Sequence, residues 1–245
     1  MRFWKSWLIA KKDMKIIRKR KLLLALLLVP SLAFGIALPV LINTVIGRKG
    51  FVPGVETDLI SAFGFLFIIL AAVIPLYISS YGIVGEKLEK SMEPLLSTPT
   101  SEGEILMGKY IGTFIPSILS TYLGAILYMI LIDVVTGKYF GYYFFPNTSF
   151  VILLLVAVPA AMTYAITLSI FVSSKVNNVV SAYQGGGITL VPFLALYVMG
   201  EAGIVKLEDT TNILYISLAL IVIAVVMYFV SRNSFGRDKI LSEWK

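Results

Sequence analysis

The sequence predicts an all-α polytopic membrane protein that crosses the bilayer six times. Of its 245 residues, 58% are hydrophobic and only 14% are charged, whereas soluble domains average about 25% charged residues. A soluble fold of this length exposes too much surface to hide so many apolar side chains. The apolar residues also gather into six stretches, each long enough for a hydrocarbon core of roughly 30 Å, which about 20 helical residues span.

The distribution of Lys and Arg predicts the direction of these spans, which lie at residues 22–46, 59–81, 110–135, 148–173, 181–200 and 212–231. With the N-terminus inside, the inner segments carry 17 of the 21 basic residues and the outer loops carry 4. We therefore predict that both termini are cytoplasmic. The first apolar run is too long for the core of a cleaved signal peptide, so we expect it to be retained.

Residues 1–21 have the pattern of an amphipathic helix lying in the membrane interface. Apolar residues recur at helical spacing among Lys and Arg, and they include Trp4 and Trp7. Tryptophan favours the headgroup region, and basic residues favour the adjoining water. We predict a cytoplasmic interface helix in which Lys15 is one of the basic positions.

The segment 82–109 is the longest hydrophilic connection, and it is predicted to be cytoplasmic. Within residues 85–109, five Glu outnumber three Lys. Glu86, Glu89 and Glu93 share one helix face, whereas Leu95 and Leu96 belong to an apolar set on another. Spacing alone leaves two interpretations open, a docking element for a partner protein or a solvated loop that rests on the membrane.

Two further signals bear on this connection and on the spans. Ser101 followed by Glu104 predicts a capping box that opens the helix of span 3. Six prolines lie within the apolar stretches, and the run 185–187 is three consecutive glycines. Each proline can kink its helix or free a carbonyl, although membrane helices are also generally enriched in proline. We expect the glycines to permit close helix contact or local unwinding.

The available residue types exclude most catalytic chemistry. The chain has no His and no Cys, so a Ser-His dyad, a thiol nucleophile and a Cys/His zinc site are all impossible. Asp133 is the single acid in a span and lies near an outer end, which argues against ion coupling through a deep carboxylate. No phosphate-binding glycine motif occurs. We expect no catalytic residue, no metal and no cofactor in this chain, and no nucleic-acid partner.

The run GEKLEKSMEPLLSTPTSEGEILMGKYIG resembles the permeases of type-2 ATP-binding-cassette (ABC) transporters. In that family, four features recur in the connection between spans 2 and 3. They are an acidic start, a Glu before a Leu-Leu pair, a Thr-Pro and a final "EIL–GK". Here the Thr-Pro is Thr98-Pro99, and the pair is Leu95-Leu96 after Glu93. The N-terminal KKDMKIIRKRK is similar to the interface helix of the family, with Asp13 in the acidic position.

The resemblance implies a single permease domain over residues 1–245, with a coupling loop at 82–109 and a cytoplasmic tail at 232–245. The chain would be half of an ATP-driven exporter in the cell membrane, paired with a second permease protomer in a homodimer or a heterodimer. Two copies of a separate ATPase, which holds ATP and Mg²⁺, would dock on a coupling helix near residues 91–98. The docking set that the resemblance implies consists of three acids that would meet basic ATPase residues and four neighbours: Glu86, Glu89, Glu93, Leu95, Leu96, Thr98 and Pro99. Spans 2 and 5 would line the pathway, which we assign to Tyr77, Phe67, Gln184 and Gly186.

Two other functions stay open. A secondary transporter or channel driven by an ion gradient would need no ATPase, and a membrane anchor or assembly factor would stimulate no ATP hydrolysis. The apolar and aromatic spans suggest that an exported substrate would be a lipid, a drug or an amphipathic peptide.

Overall fold

The computed structural model describes residues 3–50, 55–89, 100–176, 178–206 and 209–234. These residues form helices and short connections, with no strand among them. The helices are α1 (Phe3–Lys19), α2 (Lys21–Lys49), α3 (Val55–Leu88), α4 (Glu102–Phe140), α5 (Thr148–Ile152), α6 (Val158–Lys175), α7 (Val179–Gly186), α8 (Val191–Glu201) and α9 (Thr210–Ser234). A π-helical segment, Leu153–Ala157, joins α5 to α6, and a 3₁₀ segment, Gly187–Leu190, joins α7 to α8.

The six predicted spans are confirmed. Within the described residues, six helical stretches are long and apolar enough to cross a membrane. They are Lys21–Arg48, Thr57–Glu86, Glu102–Phe140, Thr148–Lys175, Val180–Gly200 and Thr210–Ser231. The predicted capping box is also confirmed, because the Ser101 hydroxyl accepts from the Glu104 amide and the Glu104 carboxylate accepts from the Ser101 amide.

Helix α3 is the central element of the bundle. It packs against α2, α4, α6, α7 and α8, whereas α9 packs on α6 and α1 packs on α4. Its core includes Phe67, whose ring lies 5.4 Å from that of Tyr128 and 6.2 Å from that of Phe150. The Tyr128 hydroxyl donates to the Ile60 carbonyl at 2.7 Å, so this buried phenol is satisfied by α3 itself.

Close contact between α2 and α4 depends on small residues. The Ser31 and Ser120 hydroxyls lie 2.7 Å apart, and the Ser120 hydroxyl also donates to the Leu27 carbonyl. One turn further along, Gly124 faces Gly35, and a Cβ atom at Gly124 would lie only 2.3 Å from the Ser31 carbonyl oxygen. The absence of a side chain therefore lets the two backbones meet, as in other membrane helix pairs.

Irregular helix accompanies two of the prolines. Pro159 lies just after the π segment. In a π helix each carbonyl accepts from the N–H five residues later, and proline has no N–H. The Leu154 carbonyl therefore lacks its π-helical donor. The Tyr122 hydroxyl donates to that carbonyl at 2.9 Å. Pro192 follows the 3₁₀ segment. In contrast, α helix continues through Pro30, Pro39, Pro75 and Pro116.

The three glycines at 185–187 include two that permit close helix contact, whereas the chain tightens into a 3₁₀ segment there rather than unwinding. The 3₁₀ segment starts at Gly187, so the helix geometry changes there. A Cβ atom at Gly186 would lie 2.4 Å from Leu76 Cδ1, and one at Gly185 would lie 2.7 Å from Val172 Cγ1. Span 5 therefore approaches spans 2 and 4 closely just before its geometry changes.

Candidate functional site

The candidate site is built where α1 crosses the first turns of α4. A Cβ atom at Gly108 would lie 2.7 Å from Ile9 Cβ and 2.8 Å from the Ser6 carbonyl oxygen. A Cβ atom at Gly112 would lie 3.0 Å from Asp13 Cβ. The two glycines, one helical turn apart, thus form a groove in α4 that seats α1.

A buried cluster of charges fastens this crossing to the end of α3. We name it the charge junction and define it as Lys12, Asp13, Glu86 and Lys109. The Lys109 ammonium lies 2.6 Å from Glu86 Oε2 and 3.7 Å from Asp13 Oδ2, and it donates to the Gly82 carbonyl at 2.8 Å. Lys12 completes the cluster, with its ammonium 2.7 Å from Glu86 Oε1.

The charge junction is formally neutral, and all of its members except Lys12, whose side chain is 45% exposed, are largely shielded from water. The side chain of Lys109 is 4% exposed and that of Glu86 is 8% exposed. A buried charge is tolerated only when it is paired and hydrogen-bonded. Burial raises the pKa of the Asp13 carboxyl; the nearby Lys109 ammonium opposes this rise, whereas the Glu86 carboxylate adds to it. Asp13 is therefore the member of the junction whose ionised form is least favoured.

A second set of contacts lies beside the junction. The Arg20 guanidinium, between α1 and α2, donates to the Tyr81 hydroxyl and pairs with Glu89 at the end of α3. Its carbon centre also lies 5.1 Å from the centroid of the Tyr81 ring. A recess lined by members of both sets of contacts also has Ile16, Ile17 and other apolar side chains on its walls.

Only part of the predicted docking set is described by the structure. Glu86 and Glu89 lie at the end of α3, whereas Glu93, Leu95, Leu96, Thr98 and Pro99 fall outside the described residues. Both carboxylate oxygens of Glu86 already pair within the chain. Docking of an ATPase on these residues stays a prediction, and Glu86 has an internal structural role in addition.

A helix forms over the segment predicted to lie in the membrane interface, but its apolar residues divide between two sides. Ile17 turns inward with Ser6, Ile9 and Ala10, whereas Phe3, Trp4, Trp7 and Leu8 are exposed. Asp13 also turns inward, into the charge junction, and Lys15 is exposed. The inward side consists of small and β-branched residues because α4 approaches so closely there.

The four predicted pathway residues occupy different environments in this chain. Tyr77 meets Tyr183 edge to face, with ring centroids 5.1 Å apart, so spans 2 and 5 do adjoin. Gln184 is exposed on span 5, Gly186 is buried against Leu76, and Phe67 lies in the aromatic core. Their assignment to a translocation pathway stays a prediction.

Sequence reasoning missed the partners of the charge junction. Lys109 was recognised only as part of a motif, although it is a lone cation beside two glycines at the start of an apolar span. That context was the available signal, because a lysine between close-packing positions must be buried with a counter-charge. The pairing itself needed the crossing of α1 over α4.

A sequence model described as an ABC-2 family transporter protein matches residues 7–234. The chain belongs to the ABC-2 transporter family. This match confirms the resemblance to type-2 ABC permeases that the loop motif and the N-terminal segment indicated. This ABC-2 chain is a permease component of an ABC transporter and a multi-pass membrane protein. Family membership implies an ABC ATPase as its partner, and a search of curated proteins found no match.

Proposed function

We propose that this ABC-2 permease is one half of an ATP-driven exporter. Two permease protomers form the pathway, and two ATPase subunits dock on the connection between α3 and α4. The observation that carries the proposal is the charge junction, because it ties α1, α3 and α4 together beside the loop predicted to receive the ATPase. In this arrangement both termini face the cytoplasm of a cell membrane.

The lengths of α3 and α4 support this placement. Their 34 and 39 residues correspond to about 51 and 58 Å of helix, well beyond a hydrocarbon core of roughly 30 Å. The ends that flank residues 90–99 are charged: Glu86 lies in the last turn of α3 and Glu89 just follows it, while the first turns of α4 carry Glu102, Glu104 and Lys109. These ends therefore project out of the hydrocarbon and present the loop to a soluble partner.

The ion pairs give the loop a mechanical connection to the spans. Movement of the end of α3 displaces Glu86 and Glu89, and these carboxylates hold Lys12 of α1 and Arg20 at the start of α2. The same displacement of Glu86 moves α4, because Glu86 is paired with Lys109 of that helix. ATP and Mg²⁺ act in the ATPase, and closure of the ATPase pair moves the permease helices as a group.

The substrate that we propose is a lipid, a drug or an amphipathic peptide, crossing between protomers along spans 2 and 5. Tyr77 and Tyr183, where these spans adjoin, provide aromatic surface for such a molecule. Stimulation of ATP hydrolysis in the reconstituted complex, compared across lipids, peptides and small ions, tests this class. Stimulation by a small ion alone would contradict it.

Replacing Leu95 and Leu96 with aspartate tests ATPase docking. Buried apolar anchors at protein interfaces typically contribute about 2 kcal/mol or more, which is about 30-fold in affinity. We expect Leu95→Asp with Leu96→Asp to abolish co-purification of the ATPase while the permease still elutes as a folded species. The control is Leu95→Met with Leu96→Met, which keeps the apolar surface and should retain the ATPase. Normal co-purification with the aspartate variant would exclude this loop as the docking site.

A further inference from the structure

The outward side of α1 combines aromatic and basic residues in one line. Trp4, Trp7, Lys11, Lys15 and Arg18 are spaced by three or four residues, so they lie above one another on the helix. We call this set the outward stripe. All five side chains are exposed, Trp4 to 69%. Within the described part of the chain, no ion pair engages its three cations.

Three nearby acids do not neutralise this stripe. Asp13 and Glu86 belong to the charge junction, where Lys109 and Lys12 balance them, and Glu89 pairs with Arg20. The chain thus uses these carboxylates within the charge junction and at Arg20, and the outward cations stay available to another molecule. The stripe therefore has the charge to attract an anionic partner.

The position of the stripe indicates a lipid rather than a soluble molecule. Leu22, only three residues after α1 ends, is 73% exposed at the start of span 1, where the apolar stretch begins. The stripe therefore lies next to the boundary between lipid and water. Tryptophan is favoured at that depth, and lysine and arginine pair with phosphate oxygens there.

We propose that the outward stripe of α1 is a binding surface for anionic phospholipid headgroups. Lys11, Lys15 and Arg18 contact the headgroup phosphates, while Trp4 and Trp7 insert among the headgroups. The close seating of α1 on Gly108 and Gly112 holds these side chains in a fixed row, so bound lipid meets an ordered surface. This binding requires no ATPase.

Quenching of tryptophan fluorescence by brominated lipids measures this binding directly. The chain has three tryptophans, so Trp244→Phe leaves Trp4 and Trp7 as the reporters. The full-length permease is placed in nanodiscs that contain brominated phosphatidylglycerol or brominated phosphatidylcholine at the same mole fraction. We expect the anionic lipid to quench at least about twofold more strongly, with the difference falling at high salt.

Two triple variants with equal loss of charge separate specific binding from general attraction. Lys11→Gln, Lys15→Gln and Arg18→Gln should bring the quenching ratio of the two lipids close to one. The control carries Arg48→Gln, Lys138→Gln and Lys206→Gln, three exposed cations at or just beyond the opposite ends of the spans, and should keep the ratio of the parent. Equal quenching by the two lipids in the parent would overturn the proposal. Loss of quenching when the ATPase is added would do so as well, because the stripe would then be a protein interface.

Discussion

Replacing Lys109 with methionine is expected to lower the free energy of unfolding by about 3–5 kcal/mol, the usual cost of removing one partner of a buried ion pair. The ammonium of Lys109 touches Glu86, Asp13 and the Gly82 carbonyl, and its side chain is 4% exposed. Methionine fills a similar volume but forms neither the ion pairs nor the hydrogen bond of the lysine. The measurement is unfolding of the permease in mixed detergent micelles.

A double variant tests whether the loss is electrostatic. After Lys109→Met the charge junction carries a net charge of −1, and adding Asp13→Asn restores neutrality while Glu86 keeps Lys12. We therefore expect the double variant to be more stable than Lys109→Met alone. If Asp13→Asn instead made Lys109→Met still less stable, the loss would lie in packing rather than in charge.

The pH dependence of stability distinguishes Asp13 from the other members of the junction. Burial raises the pKa of the Asp13 carboxyl, so within a window above about pH 4 the folded chain keeps a proton that the unfolded chain has released. The Asp13 contribution to stability therefore falls as the pH rises through this window. Asp13→Asn removes the contribution, so the parent should lose stability relative to this variant as the pH increases. Parallel pH profiles would show that the pKa of Asp13 is not raised.

Replacing Gly124 with leucine is expected to be comparably damaging, through backbone separation rather than charge. The Cβ atom alone would lie 2.3 Å from the Ser31 carbonyl oxygen, a backbone atom that cannot rotate away. Overpacking typically costs about 1–3 kcal/mol. Separating the helices would also break the Ser31–Ser120 and Ser120–Leu27 hydrogen bonds, each worth about 1 kcal/mol.

The matched control is Gly137→Leu in the same helix. A Cβ atom at Gly137 meets no other atom within 4 Å, so the leucine adds the same volume without displacing α2. Thermal unfolding in detergent, monitored by size-exclusion chromatography, should show a large decrease in the midpoint temperature for Gly124→Leu and little change for Gly137→Leu. Equal midpoints for the two variants would mean that α2 and α4 do not cross at Gly124.

Most of the fold was readable from the sequence because lipid imposes strong local rules. A span of about 20 apolar residues is recognisable without knowing its neighbours, since every backbone group must be satisfied inside its own helix. The capping box at Ser101 and Glu104 was equally local, because both partners lie within one turn. The loop motif led to the correct family for the same reason: its residues are contiguous.

The contents of the candidate site were less predictable. The acids of the loop were expected to face a partner, yet Glu86 turns into the chain and holds Lys109 and Lys12, the latter 74 residues away in sequence. Likewise, the apolar residues of 1–21 were treated as one set that includes Trp4 and Trp7, yet α4 covers only the side with Ser6 and Ala10 and leaves the two tryptophans exposed. Spacing along one helix cannot show which side another helix will occupy.

The sequence by itself thus determined the six crossings, the absence of imidazole and thiol chemistry and the family of this permease, since each depends on composition or on neighbouring residues. Only the tertiary structure decided which charges neutralise each other. Asp13, Glu86 and Lys109 come together because Gly108 and Gly112 let α1 lie directly on α4. The physical reason is that burial makes an unpaired charge costly, so the crossing of the helices selects the partners.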